Sequence, residues 1–197
     1  MSLDIKSTLL NEWKAFKAPP AKSVAQVPKV GDKAPTSDKL TLPADKPTVI
    51  VFLRHCGDPF AAKTFKLFTQ FSNDHRDVNC IAVSHSSQTV TDQWIVDLGG
   101  EWEVTVLVDE DRDLYAQWGL GIASTWQTLN PRTIYSAYSL ARNEGIYETA
   151  TGSGSKWQTG GAFAIDSDGV VRWVKVATAA DDIPDFGDAL KALGLPS

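Results

Sequence analysis

The sequence of 197 residues is short of cysteine, histidine and methionine, with two, three and one of them. Two cysteines in a chain of this length argue against a disulfide-rich secreted scaffold, so we expect a reducing, cytoplasmic location. No apolar run reaches the ~20 residues that a membrane span needs, and the first residues lack a basic segment followed by an apolar one. The sequence therefore predicts neither a membrane partner nor a signal peptide.

Positive charge is also scarce, since 19 Lys and Arg face 24 Asp and Glu, for a net charge of −5. This balance gives no electrostatic support for a nucleic-acid partner. Neither a CxxC or HxxxH motif nor a carboxylate cluster is present, so no metal and no other cofactor is predicted. The segment Gly152–Gly154 follows no predicted strand and is not a phosphate-binding loop. Tryptophan, in contrast, is abundant, with seven residues.

One stretch organises the rest of the chain. The run Thr48–Leu53 is apolar on both faces and predicts a central strand of a sheet covered on both sides. A short turn follows, and then an amphipathic helix from about Pro59 to near Asn73. Cys56 lies in the turn and Asp58 at the helix entrance, where unpaired N–H groups favour an anion.

The remaining hydrophobic pattern alternates strands and helices. Strands are predicted at 78–84 and 104–108, an edge strand at 39–42, and a β-hairpin at 162–166 and 170–176 around an Asp-Gly turn. Helices are predicted at 3–16, at 89–98, around Leu114–Trp118, from Pro131 to about Asn143 and from Asp181 through Leu193, with loops at 124–130 and 151–161.

This order predicts an α/β, thioredoxin-like fold. The central mixed sheet has helices on both faces, and a helical insertion precedes a C-terminal β-hairpin and a last helix. Residues 1–29 are predicted to form an N-terminal helix and connector, and residues 30–197 the domain itself. The N-terminal helix either packs on the outside of this domain or contacts a second copy in a homodimer.

Several segments together carry a family resemblance: Val30–Pro35, Val51–Phe65, Ala82–Ser86, Leu107–Gly121, Lys156–Trp173 and Ala180–Asp185. In this order they resemble the peroxiredoxin-like proteins of the alkyl hydroperoxide reductase/thiol-specific antioxidant superfamily. The closest group looks like the fungal and bacterial proteins with an F-L-R-x-x-G-C-P-F-A stretch. The resemblance implies a thioredoxin fold, and it implies that the Trp157–Gly161 segment lies against the strand-to-helix turn.

The sequence departs from this group at the active position. The cysteine of the group follows the glycine and precedes the proline, and this position is Asp58 here. The occasional second cysteine, three residues later, is Ala61. Cys56 lies two residues upstream of the family position, so peroxidase activity does not transfer residue by residue.

Cys56, Asp58 and His55 are the candidate catalytic residues. Cys56 is either a redox thiolate, an inert turn cysteine or a non-redox participant in a site. Cys56 follows the first strand and Cys80 lies near the start of the second, so the two are offset along the strands by on the order of 10 Å or more. A disulfide needs Cα atoms within ~7 Å, so we expect no bond between them and place Cys80 in the core. Asp58 is either a helix cap or a general acid or base. The lowered pKa expected of a capped carboxylate argues against strong proton abstraction, but not against orienting a substrate or stabilising a cation. His55 is either a proton shuttle or a hydrogen-bonded turn residue.

The candidate substrate-binding residues are Arg54, His85, Trp118, Trp126, Trp157 and Gln158. Arg54 can hold an anion through two hydrogen bonds, and its alternative is a surface ion pair. His85 follows the second strand at the sheet edge where ligands bind in parallel sheets. The tryptophans either line a crevice for a flat, apolar small molecule or seal the insertion onto the sheet.

Three functional hypotheses follow. The first is a protein that has lost the usual cysteine and acts on a small organic metabolite by non-redox chemistry of the isomerase, cyclase or lyase type. The second is a one-cysteine thiol peroxidase or oxidoreductase that uses Cys56 with an external thiol. The third is a non-catalytic binding domain.

Overall fold

Strand β1 (Thr48–Phe52) is buried at every position and lies in the middle of a five-stranded sheet. The computed structural model describes residues 19–20, 22–43, 45–149 and 151–196. The other strands are Asn79–Ser84 (β2), Val104–Val108 (β3), Gly161–Ile165 (β4) and Val171–Val176 (β5). The helices are Pro59–Asp74 (α1), Gln88–Asp97 (α2), Asp113–Gln117 (α3), Thr125–Leu129 (α4), Pro131–Glu144 (α5) and Phe186–Leu193 (α6).

The strand order is β3-β2-β1-β4-β5. Strands β1, β2 and β3 are parallel, whereas β4 is antiparallel to both β1 and β5. Parallel strands end at the same edge of a sheet, so the turn after β1 and the residues after Ser84 lie side by side. This edge holds most of the polar side chains that the sequence singles out.

The two faces of the sheet are covered by different elements because side chains alternate along each strand. Val49 and Val51 face a core that includes the buried sides of α1, α2 and α6. Ile50 and Phe52 face a second core that α3 and the connector before β1 complete. The predicted mixed sheet with helices on both faces, a helical insertion (α4 and α5) and a closing hairpin and helix is thereby confirmed.

Three local predictions are wrong. Residues 124–130 are not a loop, because Ser124 and Gln127 form a reciprocal capping box that starts α4. The last helix begins at Phe186 rather than Asp181, since Pro184 interrupts the segment and Asp185 is the residue that caps the helix. Residues 39–42 form no strand of the sheet, and only an isolated bridge joins Ser37 to Leu40.

The predicted helix at 3–16, and with it the suggested dimer contact, lies outside the described residues. Within the described ranges, every helix is too short or too polar to cross a membrane.

Candidate functional site

Asp58 caps helix α1 at the end of the turn that follows β1. Its backbone N–H donates to the carbonyl of His55 (2.8 Å), and its Oδ1 accepts from the N–H of Phe60 (3.2 Å). Pro59 occupies the first helical position, where its missing N–H costs nothing. The sequence Asp-Pro therefore starts the helix and fixes the carboxyl group at its N-terminus.

The Asp58 carboxyl group is almost buried. Its Oδ2 forms an ion pair with Nη1 of Arg54 at 3.0 Å, and 12% of the Asp58 side chain is exposed. Burial raises the pKa of Asp58 above its usual range, although Arg54 and the Phe60 N–H act to lower it. The expectation of a lowered pKa is therefore wrong, because the sequence does not reveal how much solvent the neighbouring segments remove.

Arg54 is tied to two neighbours rather than left free for an anion. While Nη1 contacts Asp58, Nη2 donates to the carbonyl of Lys156 at 2.9 Å. The Lys156 ammonium group forms its own ion pair with Glu148, at 2.6 Å between Nζ and Oε1. With 11% of its side chain exposed, Arg54 forms a buried ion pair and not a surface one.

Cys56 points into the core and is 2% exposed. Its Sγ lies 3.3 Å from Oγ of Ser84, which is 2.9 Å from Oγ1 of Thr91. Cys80 is also a free, buried thiol, and it pairs in register with Val49, at the far end of β1 from Cys56. Burial raises the pKa of Cys80 to about 12, as expected for a core cysteine.

His55 supports the turn through both ring nitrogens. Nδ1 accepts from the N–H of Gly57 at 3.1 Å, and Nε2 lies 2.9 Å from Oγ1 of Thr151. Both ring nitrogens of His55 therefore have a partner, one in the turn itself and one at Thr151. His55 thus holds the turn against the segment that contains Thr151.

His85 is also buried, next to Ser155. Its Nε2 accepts from the N–H of Ser155 at 3.0 Å, and its ring stands edge-on to Tyr115 at 5.3 Å. Burial, together with nearby His55, lowers the pKa of His85 to about 3. His85 is therefore neutral, and it anchors the chain instead of lining an open crevice.

A segment that we call the strap, residues 146–149 and 151–158, covers the turn. The N–H of Thr149 donates to the carbonyl of Gly57 at 2.9 Å. A Cβ atom on Gly57 would lie 2.1 Å from the carbonyl oxygen of Thr149, so only glycine admits this contact. Thr151 and Ser155 bind the two buried histidines from the same strap.

Between the turn, the strap and helix α5 lies a cavity of about 210 Å³, here called the Asp58 cleft. Its lining comprises Arg54, His55, Asp58, Pro59, Phe60, Thr128, Thr133, Ile134, Ala137, Glu148, Lys156 and Ala180. Asp58 also borders a second, larger cleft of about 490 Å³, which Cys56 lines as well.

The structure brings Arg54, His55 and Asp58 together at the Asp58 cleft but does not bring the tryptophans there. Trp118 is fully buried against Phe52 and Phe163, so it seals the sheet. Trp126 is 73% exposed on α4.

Trp157 and Gln158 lie in the strap. Trp157 is half-buried, and the Gln158 side-chain amide donates to the carbonyls of Leu120, Gly121 and Thr159. The first two of these hydrogen bonds anchor the end of the strap to the segment between α3 and α4. The Trp157–Gly161 segment is the one that the resemblance places against the turn.

Sequence reasoning missed Lys156, Glu148 and the apolar residues of α5 that complete the Asp58 cleft. Lys156 directly precedes the segment that the resemblance brings to the turn, and this position is the one available signal. Within the described part of the chain, no three His, Cys, Asp or Glu side chains come close enough together to hold a metal ion.

The mixed sheet, with its strand-to-helix turn after the central strand, defines a thioredoxin-fold protein, and solved structures agree. A peroxiredoxin-like protein from Aquifex aeolicus is similar with a TM-score of 0.60 and 16% identity, over 89% of this chain and 91% of that one. A thiol peroxidase from Chromobacterium violaceum gives 0.58 and 16%, over 88% and 91%. At these identities the similarity shows the fold.

A family model described as AhpC/TSA antioxidant enzyme matches residues 66–178, more than half of the chain. The chain belongs to this family, which confirms the peroxiredoxin-like resemblance. The matched residues begin after the turn, so the match does not bear on Cys56 or Asp58. Among curated proteins, none matches the chain.

Proposed function

We propose that this protein binds a small organic molecule in the Asp58 cleft and that Asp58 transfers a proton to or from it. The reaction belongs to the isomerase, cyclase or lyase type and involves no thiol redox step. The observation that carries the proposal is a carboxyl group in the wall of a cleft, 12% exposed, whose pKa burial raises.

A raised pKa matters because a general acid or base works best when its pKa is near the operating pH. The ionised Asp58 accepts a proton from a C–H or O–H of the substrate, whose electron pair moves into the neighbouring bond. The neutral acid then returns the proton to another atom of the same molecule. Arg54 and the Phe60 N–H hold the two carboxyl oxygens in place throughout.

The environment of Cys56 supports this choice over redox chemistry. A peroxidase needs an accessible thiolate, whereas Cys56 is 2% exposed and lies in the core. By the resemblance, the family places its cysteine at the position of Asp58, at the helix N-terminus. A carboxylate there has no sulfur to oxidise and retains only the ability to bind and to transfer protons.

Proton exchange on a simple ketone tests this proposal without knowledge of the natural substrate. The C2 protons of 1-tetralone exchange slowly in D₂O buffer, and proton NMR follows their loss. We expect the wild-type protein to accelerate the exchange by about 10²-fold or more and Asp58→Asn to return it to the buffer rate. Asp92→Asn, an exposed position on α2, is the matched control and keeps the wild-type rate. Equal rates in wild type and Asp58→Asn contradict the proposal.

One observation favours a second candidate, the one-cysteine peroxidase. Cys56 borders the second cleft, and the Ser84 hydroxyl lies within hydrogen-bond distance of its sulfur. In this case Cys56 consumes hydrogen peroxide with dithiothreitol as the external thiol, and Cys56→Ser abolishes the consumption. If Cys56→Ser matches the wild type, this candidate fails and the Asp58 proposal is unaffected.

A further inference from the structure

We infer that the ligand of the Asp58 cleft is an uncharged, largely apolar molecule of one or two rings with a carbonyl or hydroxyl at one end. This inference rests on the proposed function and specifies its substrate class. It depends on how the charges of the cleft are paired, on the side chains that α5 contributes and on the size of the cavity.

The charged groups of the cleft are already paired with one another. Arg54 contacts Asp58, and Lys156 contacts Glu148. Both terminal nitrogens of Arg54 are engaged, one with a carboxylate and one with a backbone carbonyl. An anionic ligand would have to separate a nearly buried ion pair or lie against two carboxylates, and a cationic ligand would meet two cations. Neither has a free counter-charge, so the balance favours a neutral molecule.

Apart from His55, Thr128 and Thr133, the rest of the wall is apolar. Ile134 and Ala137 lie three positions apart on α5 and therefore on the same side of the helix, facing Phe60 across the cleft. Ile134 is itself 59% exposed, and the neighbouring Tyr135 and Tyr138, at 72% and 61%, do not line the cleft. Helix α5 thus presents Thr133, Ile134 and Ala137 to the ligand, and its tyrosines Tyr135 and Tyr138 stay outside the lining.

The size of the cavity limits the ligand. The cleft has a volume of about 210 Å³, which suits a small molecule. One or two fused rings fill this space, with their polar end next to Asp58 and their apolar body on Phe60, Ile134 and Ala137. Ala137 then sets the size limit, since each added methylene there takes volume from the ligand.

Three molecules with the same bicyclic skeleton test the inference: 1-tetralone, tetralin-1-carboxylate and 1-aminotetralin, which are neutral, anionic and cationic near neutral pH. Binding is measured by the shift of the Ile134 methyl NMR signal. We expect 1-tetralone to bind about tenfold or more tighter than either charged probe. Tighter binding of either charged probe overturns the inference, as does an Ile134 signal that 1-tetralone does not move at millimolar concentration.

Two variants test where in the protein the ligand binds. Ala137→Leu fills the cleft, so we expect about tenfold weaker binding of 1-tetralone, whereas Tyr138→Phe leaves it unchanged. If Ala137→Leu does not fold, Ile134→Ala replaces it, since Ile134 is exposed. We again expect weaker binding of 1-tetralone, which is then measured by calorimetry. Unchanged binding in the folded variant overturns the inference. Asp58→Asn should still bind 1-tetralone while its proton exchange is lost, so failure of the substrate class is distinguishable from failure of the proton transfer.

Discussion

Nη1 of Arg54 lies 3.0 Å from Oδ2 of Asp58, and about a tenth of each side chain is exposed. The pair joins the last residues before the turn to the first turn of α1. One carboxyl oxygen is held by the guanidinium group and the other by the Phe60 N–H. Asp58 therefore combines a fixed orientation with a raised pKa, which a solvent-exposed helix cap does not have.

The raised pKa of Asp58 has a consequence for stability. When the folded-state pKa is above the unfolded value of about 3.9, the protonated form stabilises the fold. This contribution to stability is present below the unfolded-state pKa and is lost as the pH rises through the folded-state pKa. As the pH rises, we therefore expect the free energy of unfolding of the wild type to decrease relative to that of Asp58→Asn, by up to about 1.4 kcal/mol per pH unit.

Urea unfolding at a series of pH values checks this trend, with Asp92→Asn as the control that follows the wild type. A difference between wild type and Asp58→Asn that grows in favour of the wild type as the pH rises contradicts the raised pKa.

Gly57 is expected to be intolerant of any side chain. Gly57→Ala places a Cβ atom against the Thr149 carbonyl, so the strap must move away from the turn. Gly121→Ala is the control, because its Cβ would meet only Val24, at an ordinary distance of 3.5 Å. We expect Gly57→Ala to lower the melting temperature and to speed hydrogen exchange of the Thr149 amide. Equal exchange in both variants would show that the strap does not depend on Gly57.

Acid sensitivity is expected to depend on His85. Its pKa falls from 6.5 to about 3 in the folded state, so the neutral ring stabilises the protein above pH 6.5. This contribution is lost as the pH decreases toward 3, at up to about 1.4 kcal/mol per pH unit. His85→Gln keeps an acceptor for the Ser155 N–H and removes the titration, so its stability should decline less over this range.

His75→Gln, at the end of α1, is the matched control for His85→Gln and should keep the acid response of the wild type. Acid unfolding followed by tryptophan fluorescence measures all three proteins. A steeper loss of stability in His85→Gln than in the wild type would contradict the buried, neutral state of His85.

Trp118 and Trp126 should behave in opposite ways. Trp118 is fully buried, so Trp118→Ala is expected to cost about 3–5 kcal/mol of stability. Trp126 is 73% exposed, and Trp126→Ala should stay within about 0.5 kcal/mol of the wild type. Denaturant unfolding measures both changes. If Trp118→Ala keeps nearly the stability of the wild type but no longer binds 1-tetralone, Trp118 contacts the ligand and is not a core residue.

The sheet and the first helix could be predicted because their signals are local. The apolar run at β1, the Asp58-Pro59 start of α1 and the Asp-Gly turn of the hairpin each indicate their structure within a few residues. The two mistakes at α4 and α6 also concern local capping, at Ser124 and Asp185. The capping residues are present in the sequence, but residues 124–130 are predicted as a loop and the last helix is predicted to start at Asp181.

The site was less predictable because it depends on contacts between distant segments. The guanidinium group of Arg54 donates a hydrogen bond to the carbonyl of Lys156, which lies 102 residues further along the chain. Burial raises the pKa of Asp58, and the sequence of the turn does not show how deeply the folded chain buries this residue. The sequence leaves open whether Trp118 lines a crevice or seals the insertion onto the sheet, and only its packing against Phe52 decides for the core.

The most direct test of this account is the pKa of Asp58 itself. A carbon-13 NMR titration that follows the side-chain carboxyl carbon, assigned by its absence in Asp58→Asn, gives this value in the intact protein. The account predicts a midpoint above 3.8, the value of an unperturbed aspartate. A midpoint at or below that value would show that the Arg54 ion pair and the helix N-terminus dominate, and that Asp58 is a structural cap instead of a proton-transfer group.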